Sequence, residues 1–112
     1  MARYFLTPAA QRDISEITAY IKKNSPRGAL AVAREIKRIC KLVGSMPYIG
    51  HLAEDIGAGE LCHLPAGKYA NYIIFYVLKD ETPVIVRVIH AKRDIPTLLS
   101  RWYATEEFHL SR

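Results

Sequence analysis

The stretch YIIFYVL, residues 72–78, decides the fold, because it is apolar on both sides of an extended chain. In a strand, alternate side chains point to opposite faces of the sheet. One predicted face carries Tyr72, Ile74, Tyr76 and Leu78, and the other carries Ile73, Phe75 and Val77. An antiparallel sheet needs only one apolar face, so we expect this strand at the centre of a sheet with protein on both sides.

Neighbouring strands are predicted on each side of this one. ELCHLP, residues 60–65, precedes it, and PVIVRVIHA, residues 83–91, follows it through a polar turn. Simple alternation puts Val84, Val86 and Val88 on one face of the later strand and Ile85, Arg87 and Ile89 on the other. With the short strand RYFL at residues 3–6, the sheet is predicted to have about four strands.

A helical hairpin is predicted over about residues 8–43. Thr7 before Pro8, and Ser25 before Pro26, each combine a preferred N-cap with proline at the first helical position. Apolar residues recur at helical spacing after both signals. Only a few residues separate the two helices, so they are expected to pack antiparallel.

The remaining segments complete a single α+β domain over residues 1–112, since a chain of this length has no room for a second core. A glycine-rich loop is expected at about 44–59 and the main sheet at about 60–91. The C-terminal segment, residues 95–112, is predicted to hold a short helix and then a polar tail.

Positive charge is concentrated in the first half of the chain. The net charge is +5, and nine of the sixteen Lys and Arg residues but only three of the eleven Asp and Glu residues lie in 1–50. The second predicted helix carries a basic stripe on the side away from its apolar residues: Arg34, Lys37, Arg38 and Lys41. Such a stripe faces either water or an acidic partner.

Several functional classes are disfavoured by composition. No apolar run approaches the roughly 20 residues that span a bilayer, and the first residues lack the apolar region of a signal peptide. We therefore expect a cytoplasmic protein without membrane contact, with Cys40 and Cys62 as reduced core thiols. The histidines have no zinc-ligand spacing, so neither a metal nor another cofactor is expected.

The sequence HAKRD, residues 90–94, ends the last strand with polar side chains. His90 could act as an acid or base near neutral pH, and Lys92 and Arg93 could stabilise negative charge on a phosphate. That is a minimal set for metal-free RNA cleavage. The same residues could instead cap the strand end, with Arg93 and Asp94 as an ion pair, or contact a target.

One face of the predicted sheet lacks an evident cover, because the hairpin can cover only the other. The residues assigned to this face are Ile73, Phe75, Val77, Ile85, Arg87 and Ile89. An apolar patch of this kind usually marks a protein-binding surface. The alternative is that Trp102, Tyr103 and Phe108 fold back over it.

Taken in order along the chain, five stretches resemble toxins of the RelE/ParE superfamily, and most closely its ParE-like, plasmid-stabilisation branch. They are AAQRDISEITAY at 9–20, Pro47 with Gly50, GAGELCHLPAG at 57–67, YIIFY at 72–76 and VIHAKRD at 88–94. The resemblance implies a RelE/ParE-like fold and a cytosolic growth inhibitor. It also implies neutralisation by a cognate antitoxin, ParD-like or similar, whose acidic C-terminal tail would bind the uncovered sheet face and the basic stripe.

The target implied by the resemblance differs between branches. ParE-like members poison DNA gyrase, whereas RelE-like members cut messenger RNA on the ribosome. RelE-like nucleases carry an arginine on the long strand, an arginine after the last strand and a tyrosine in the terminal helix. In this chain those places fall on Ile73, Arg93 and about Leu99, with Tyr103 the nearest tyrosine.

Only one of these three nuclease residues is present, so we expect a binding toxin rather than an enzyme. His90, Lys92, Arg93, Arg101 and Trp102 are the predicted target contacts. Two alternatives remain open: an mRNA interferase that uses His90, Lys92 and Arg93, and a non-toxic member that binds only its antitoxin.

Overall fold

A strand and two helices come first, and four strands and a third helix follow. The computed structural model describes residues 3–52 and 61–103, with side chains described up to residue 100. The elements are β1 (Phe5–Leu6), α1 (Pro8–Lys22), α2 (Pro26–Ser45), β2 (His51–Leu52), β3 (Cys62–Ala66), β4 (Tyr69–Lys79), β5 (Thr82–His90) and α3 (Ile95–Tyr103). No helix in the described ranges is long and apolar enough to cross a membrane.

Both hairpin helices begin at the predicted caps. The Thr7 hydroxyl accepts a hydrogen bond from Ala10 N at 3.1 Å, and the Ser25 hydroxyl accepts one from Gly28 N at 2.9 Å. Each hydroxyl thereby satisfies a backbone donor that has no partner within its helix. The proline that follows each cap takes the position where a backbone N–H is not needed.

The sheet has five strands in the order β1-β5-β4-β3-β2. β1 runs parallel to β5, and the other neighbours are antiparallel. The predicted α+β class is therefore confirmed, with one strand more than expected. The additional strand is β2, two residues within the stretch interpreted as loop, and it pairs with the start of β3.

Side chains cover the sheet on both faces. The hairpin packs on one face, where Ile36 and Val43 of α2 meet Ile74 and Tyr76 of β4 in what we call the hairpin-side core. On the other face Leu61 and Leu99 pack against Phe75, and we call this the α3-side core. The two faces of β4 are therefore both buried within this chain.

A β-bulge in β5 overturns the predicted alternation of that strand. Phe75 lies opposite Arg87, but the next residue, Tyr76, lies opposite Ile85, so Val86 is an extra residue. An extra residue changes the face on which later side chains lie. Ile85 and Val88 consequently pack in the hairpin-side core, whereas Val86 packs in the α3-side core.

The start of α1 continues the contacts of β1 along β5. β1 pairs with β5 only at Val84 and Ile85. Thr7 then donates its backbone N–H to Ile85 O at 3.0 Å and its hydroxyl to Val86 O at 3.0 Å. One residue, Thr7, thus caps the helix and also binds the strand beside it.

Candidate target groove and partner surfaces

A groove lies between α1 and the end of the sheet, and we call it the α1–β5 groove. Its volume is about 460 Å³. It is lined by Asp13, Glu16, Ile17, Tyr20, Tyr72, Val88, His90 and Arg93. Two of the predicted target contacts, His90 and Arg93, therefore line one concavity, whereas Lys92 is exposed outside this lining.

The turn after β5 positions these two side chains. Ala91 N donates to Asn71 O at 2.6 Å, and Arg93 N donates to His90 O at 3.0 Å. The His90 ring stands edge-on to Tyr72, with 5.2 Å between ring centroids. Backbone hydrogen bonds and ring packing together fix where the strand end meets the groove.

His90 has one ring nitrogen occupied within the turn. Its Nδ1 accepts the backbone N–H of Lys92 at 3.1 Å. An accepting Nδ1 carries no proton, so the neutral ring holds its proton on Nε2. In this state His90 can donate a hydrogen bond from Nε2 to a ligand.

Asp94 caps α3, and the predicted pair between Arg93 and Asp94 is absent. The Asp94 carboxylate accepts the Thr97 hydroxyl at 2.7 Å and the Thr97 backbone N–H at 3.4 Å. A carboxylate at a helix start is favoured by the unpaired N–H groups there. Arg93, which is exposed, is thereby left to the groove.

Asp13, which lines the groove, forms an ion pair with Arg87 that has little solvent access. The guanidinium donates from Nε and Nη2 to the two carboxylate oxygens at 2.7 and 2.8 Å. Asp13 also accepts the Val88 backbone N–H at 2.9 Å. Arg87, predicted to face the antitoxin, instead has its guanidinium held by Asp13 of α1.

The sheet face predicted to be uncovered is covered within this chain. Phe75 and Ile89 are 3% and 2% exposed beneath the α3 layer, and Ile73 and Val77 are partly buried at its margin. The fifth apolar candidate, Ile85, is buried on the opposite face. Among the described side chains, the cover comes from Leu61, Ile95, Leu98 and Leu99. The side chains of Arg101, Trp102 and Tyr103, and all of Phe108, lie outside the description.

The four residues of the basic stripe are all exposed on α2. Glu35 lies among them in sequence but is buried, and its carboxylate accepts from Arg38 at 2.8 and 3.0 Å. It also accepts the Lys68 backbone N–H at 3.0 Å. Its hydrogen bond from Arg38, with a smaller contribution from Lys68, lowers the pKa of Glu35 to about 2.

Sequence reasoning missed Lys68 as a neighbour of the stripe. Gly67 brings it there, since this glycine has φ +57° and a Cβ at its position would collide with the Glu35 carboxylate. The signal in the sequence is an acidic residue within a basic helix face and a glycine in the β3–β4 turn. The sequence alone does not show that Glu35 pairs with this turn, because the contact forms only when the chain is folded.

Tyr76 organises a second feature that the sequence did not reveal. Its side chain is fully buried, and its hydroxyl donates to Pro47 O at 2.8 Å and accepts from Gly50 N at 2.9 Å. Burial raises the pKa of Tyr76. The segment held in this way exposes several large apolar side chains: Met46, Tyr48, Ile49 and Leu52.

Other chemistry finds little support in the described residues. Burial raises the pKa of the Cys40 thiol to about 12, so it stays protonated and is a poor nucleophile. No group of three or more metal-ligating side chains occurs in 3–52 and 61–100. Leu99, at the place of the nuclease tyrosine, is only 2% exposed.

Comparison with known proteins gives a consistent result. The family model described as "ParE toxin of type II toxin-antitoxin system, parDE" matches residues 4–95. Ten solved chains match in structure. One, described as "Chromosomal ParDE TA system from P. aeruginosa", has a TM-score of 0.66 and 18% identity, covering 80% of this chain and 96% of its own. No curated protein matches the sequence. Because the family model covers most of the chain, this protein belongs to the ParE toxin family of type II toxin–antitoxin systems.

Proposed function

We propose that this protein inhibits bacterial growth in the cytoplasm by binding DNA gyrase and trapping it with its DNA cleaved, and that a cognate antitoxin neutralises it. The family match supplies the toxin class. Binding is favoured over RNA cleavage because apolar side chains occupy two of the places at which RelE-like nucleases carry their functional residues. Ile73 and Leu99 both pack in the α3-side core.

An RNA-cleaving site needs cations at the phosphate and a proton-transfer group held at the reacting atoms. Ile73 can supply neither, and Leu99 is buried on the side of α3 that faces the sheet. The α1–β5 groove contributes His90 and Arg93, but Glu16 also lines it and opposes an approaching phosphate. These residues fit hydrogen bonding and ion pairing with a protein target better than phosphate chemistry.

The target contact is proposed at the rim of the α1–β5 groove. His90 can donate from Nε2, and Arg93 offers an exposed guanidinium. Tyr20, 69% exposed on the opposite wall, adds an amphipathic surface of the kind enriched in binding sites. The proposed target contact also includes three residues that follow along the chain into α3: Lys92, Arg101 and Trp102.

Antitoxin binding is proposed at the margin of the α3-side core and at the basic stripe. Ile73 and Val77 keep part of their surface exposed, so an apolar side chain of the antitoxin tail can reach them. Contact with Phe75 or Ile89 requires Leu99 and its neighbours to move, because these cover both residues. Acidic residues of a ParD-like tail suit the exposed cations of α2.

The test is a gyrase assay on supercoiled plasmid with ATP and the purified protein, followed by detergent and protease. We expect protein-dependent linear DNA, because a poisoned topoisomerase leaves both strands cut. Arg93→Ala should reduce the linear product, whereas Lys79→Ala, at the far end of β4, should not. Absence of linear DNA at excess wild-type protein would reject gyrase as the target.

A second candidate is a ribosome-dependent mRNA interferase, favoured by the fact that His90 and Arg93 share one groove. If it holds, cleavage of ribosome-bound mRNA should fall strongly in His90→Ala and Arg93→Ala. Lys79→Ala removes a charge at the far end of β4, away from the groove lining, and is the control. The third alternative, a non-toxic antitoxin binder, is supported only if expression without antitoxin leaves growth unchanged.

A further inference from the structure

The exposed cations of α2 and of the β3–β4 turn form one continuous surface. It comprises the basic stripe and Lys68, and we call it the basic surface. Arg34 and Lys41 are seven residues apart, which is about 10 Å along a helix. Duplex DNA carries one negative charge per about 1.7 Å of its axis, so cations at this spacing can each meet a phosphate.

Glu35, the one carboxylate of α2, does not offset this charge at the surface. Its side chain is 11% exposed, and its oxygens accept from Arg38 and from Lys68 N. The interaction fixes Arg38, 61% exposed in its side chain, and brings the Lys68 backbone against the helix. The buried acid therefore organises the cations around it.

The surface lacks the apolar centre of an interface between folded proteins, so apart from the acidic antitoxin tail proposed above it suits a polyanion. Protein interfaces combine a buried apolar core with a polar rim. Between Arg34 and Lys41 every outward side chain of α2 is a cation, and exposed apolar residues come only beyond the ends, at Leu30 and Met46. Backbone phosphates need cations and no apolar contact.

We infer that the basic surface binds the phosphate backbone of duplex DNA, without reading sequence. In the gyrase complex this contact would place the toxin on the DNA that the enzyme holds, and in that respect the inference rests on the proposed function. Direct DNA binding is measured without gyrase, so its failure and the failure of the gyrase proposal are separate results.

The experiment measures fluorescence anisotropy of a labelled duplex of about 20 base pairs with the full chain between about 50 and 200 mM salt. Each phosphate contact contributes about −0.9 to the slope of log K against log salt concentration. The variant Lys37→Ala/Lys41→Ala should make this slope shallower by about 1.8 and weaken binding. The variant Lys22→Ala/Lys79→Ala removes the same charge elsewhere and should leave the slope unchanged. Circular dichroism checks that both variants fold.

Equal slopes in the two variants would overturn the inference, because binding would then follow net charge alone. Absence of binding at the lowest salt would also overturn it. A third contrary result is saturable binding of an acidic peptide, such as poly-glutamate, to the wild type but not to Lys37→Ala/Lys41→Ala, with no response to DNA. The surface would then be an acidic-protein site.

Discussion

The two faces of the sheet are buried by very different means. On the hairpin side, two helices of 15 and 20 residues cover the sheet. The hydroxyls of Thr7 and Tyr76 donate hydrogen bonds there, and the Asp13 carboxylate accepts one from Val88 N. On the other side, one helix of nine residues and Leu61 provide the cover. The comparison indicates that the hairpin side determines the stability of the domain, whereas the α3 side can open at lower cost.

The largest expected effect lies on the hairpin side, at Asp13. Asp13→Ala leaves the Arg87 guanidinium with little solvent and without its carboxylate, and it removes the acceptor of Val88 N. Breaking a buried ion pair in this way typically costs about 3–5 kcal/mol. Denaturant unfolding of the variant measures the loss. Glu16→Ala, on the same helix but exposed, should change the free energy of unfolding by less than about 0.5 kcal/mol.

On the α3 side, Leu99→Ala tests whether α3 can open while the hairpin helices stay folded. Loss of a buried leucine costs about 2–5 kcal/mol, and we expect a value near 2 because a short helix can settle into the space. Hydrogen exchange should increase in α3 while α1 and α2 stay protected. Exchange that rises equally in all three helices would show that the two cores open as one unit.

Tyr76→Phe sharpens the comparison within the hairpin side. It removes the hydroxyl that joins Pro47 O and Gly50 N, while the ring still fills the core. We expect a loss of about 1–2 kcal/mol in unfolding free energy. Tyr72→Phe is the control, since Tyr72 is only partly buried and its ring packs against His90. Similar losses in both variants would mean that the hydroxyl contacts contribute nothing.

The smallest effect concerns pH and Glu35. Its pKa falls from 4.5 in the unfolded chain to about 2 in the folded protein, chiefly through the hydrogen bond from Arg38. The stabilisation is therefore complete above about pH 4.5 and is lost as pH falls toward 2. Glu35→Gln should reduce the fall in melting temperature that accompanies acidification below about pH 4.5, whereas Glu16→Gln should leave that fall unchanged.

Local chemistry made most of the fold predictable. The Thr7-Pro8 and Ser25-Pro26 caps start the helices where expected, and the apolar sequence of β4 is buried on both faces. The bulge at Val86 was not predictable, because strict alternation fits the sequence equally well. Its consequence is seen at Ile85, which packs on the face opposite to the one predicted.

The candidate site was predictable in its residues but not in its geometry. HAKRD identified His90 and Arg93, and only the fold shows that both line the α1–β5 groove while Lys92 stands outside it. Asp94 was assigned to Arg93 on proximity, but a helix start competes for the same carboxylate. The pairing of Glu35 with the β3–β4 turn depends on a contact between distant parts of the chain.

The contacts of Thr7 and Asp13 with β5 also protect the protein from aggregation. Where β1 stops, the outer edge of β5 would present free backbone groups on which another molecule could add a strand. Thr7 already occupies Val86 O, and Asp13 already occupies Val88 N. A neighbouring chain therefore finds no continuous row of donors and acceptors there. Loss of Asp13 reopens this edge, and the insoluble fraction on expression should rise with it.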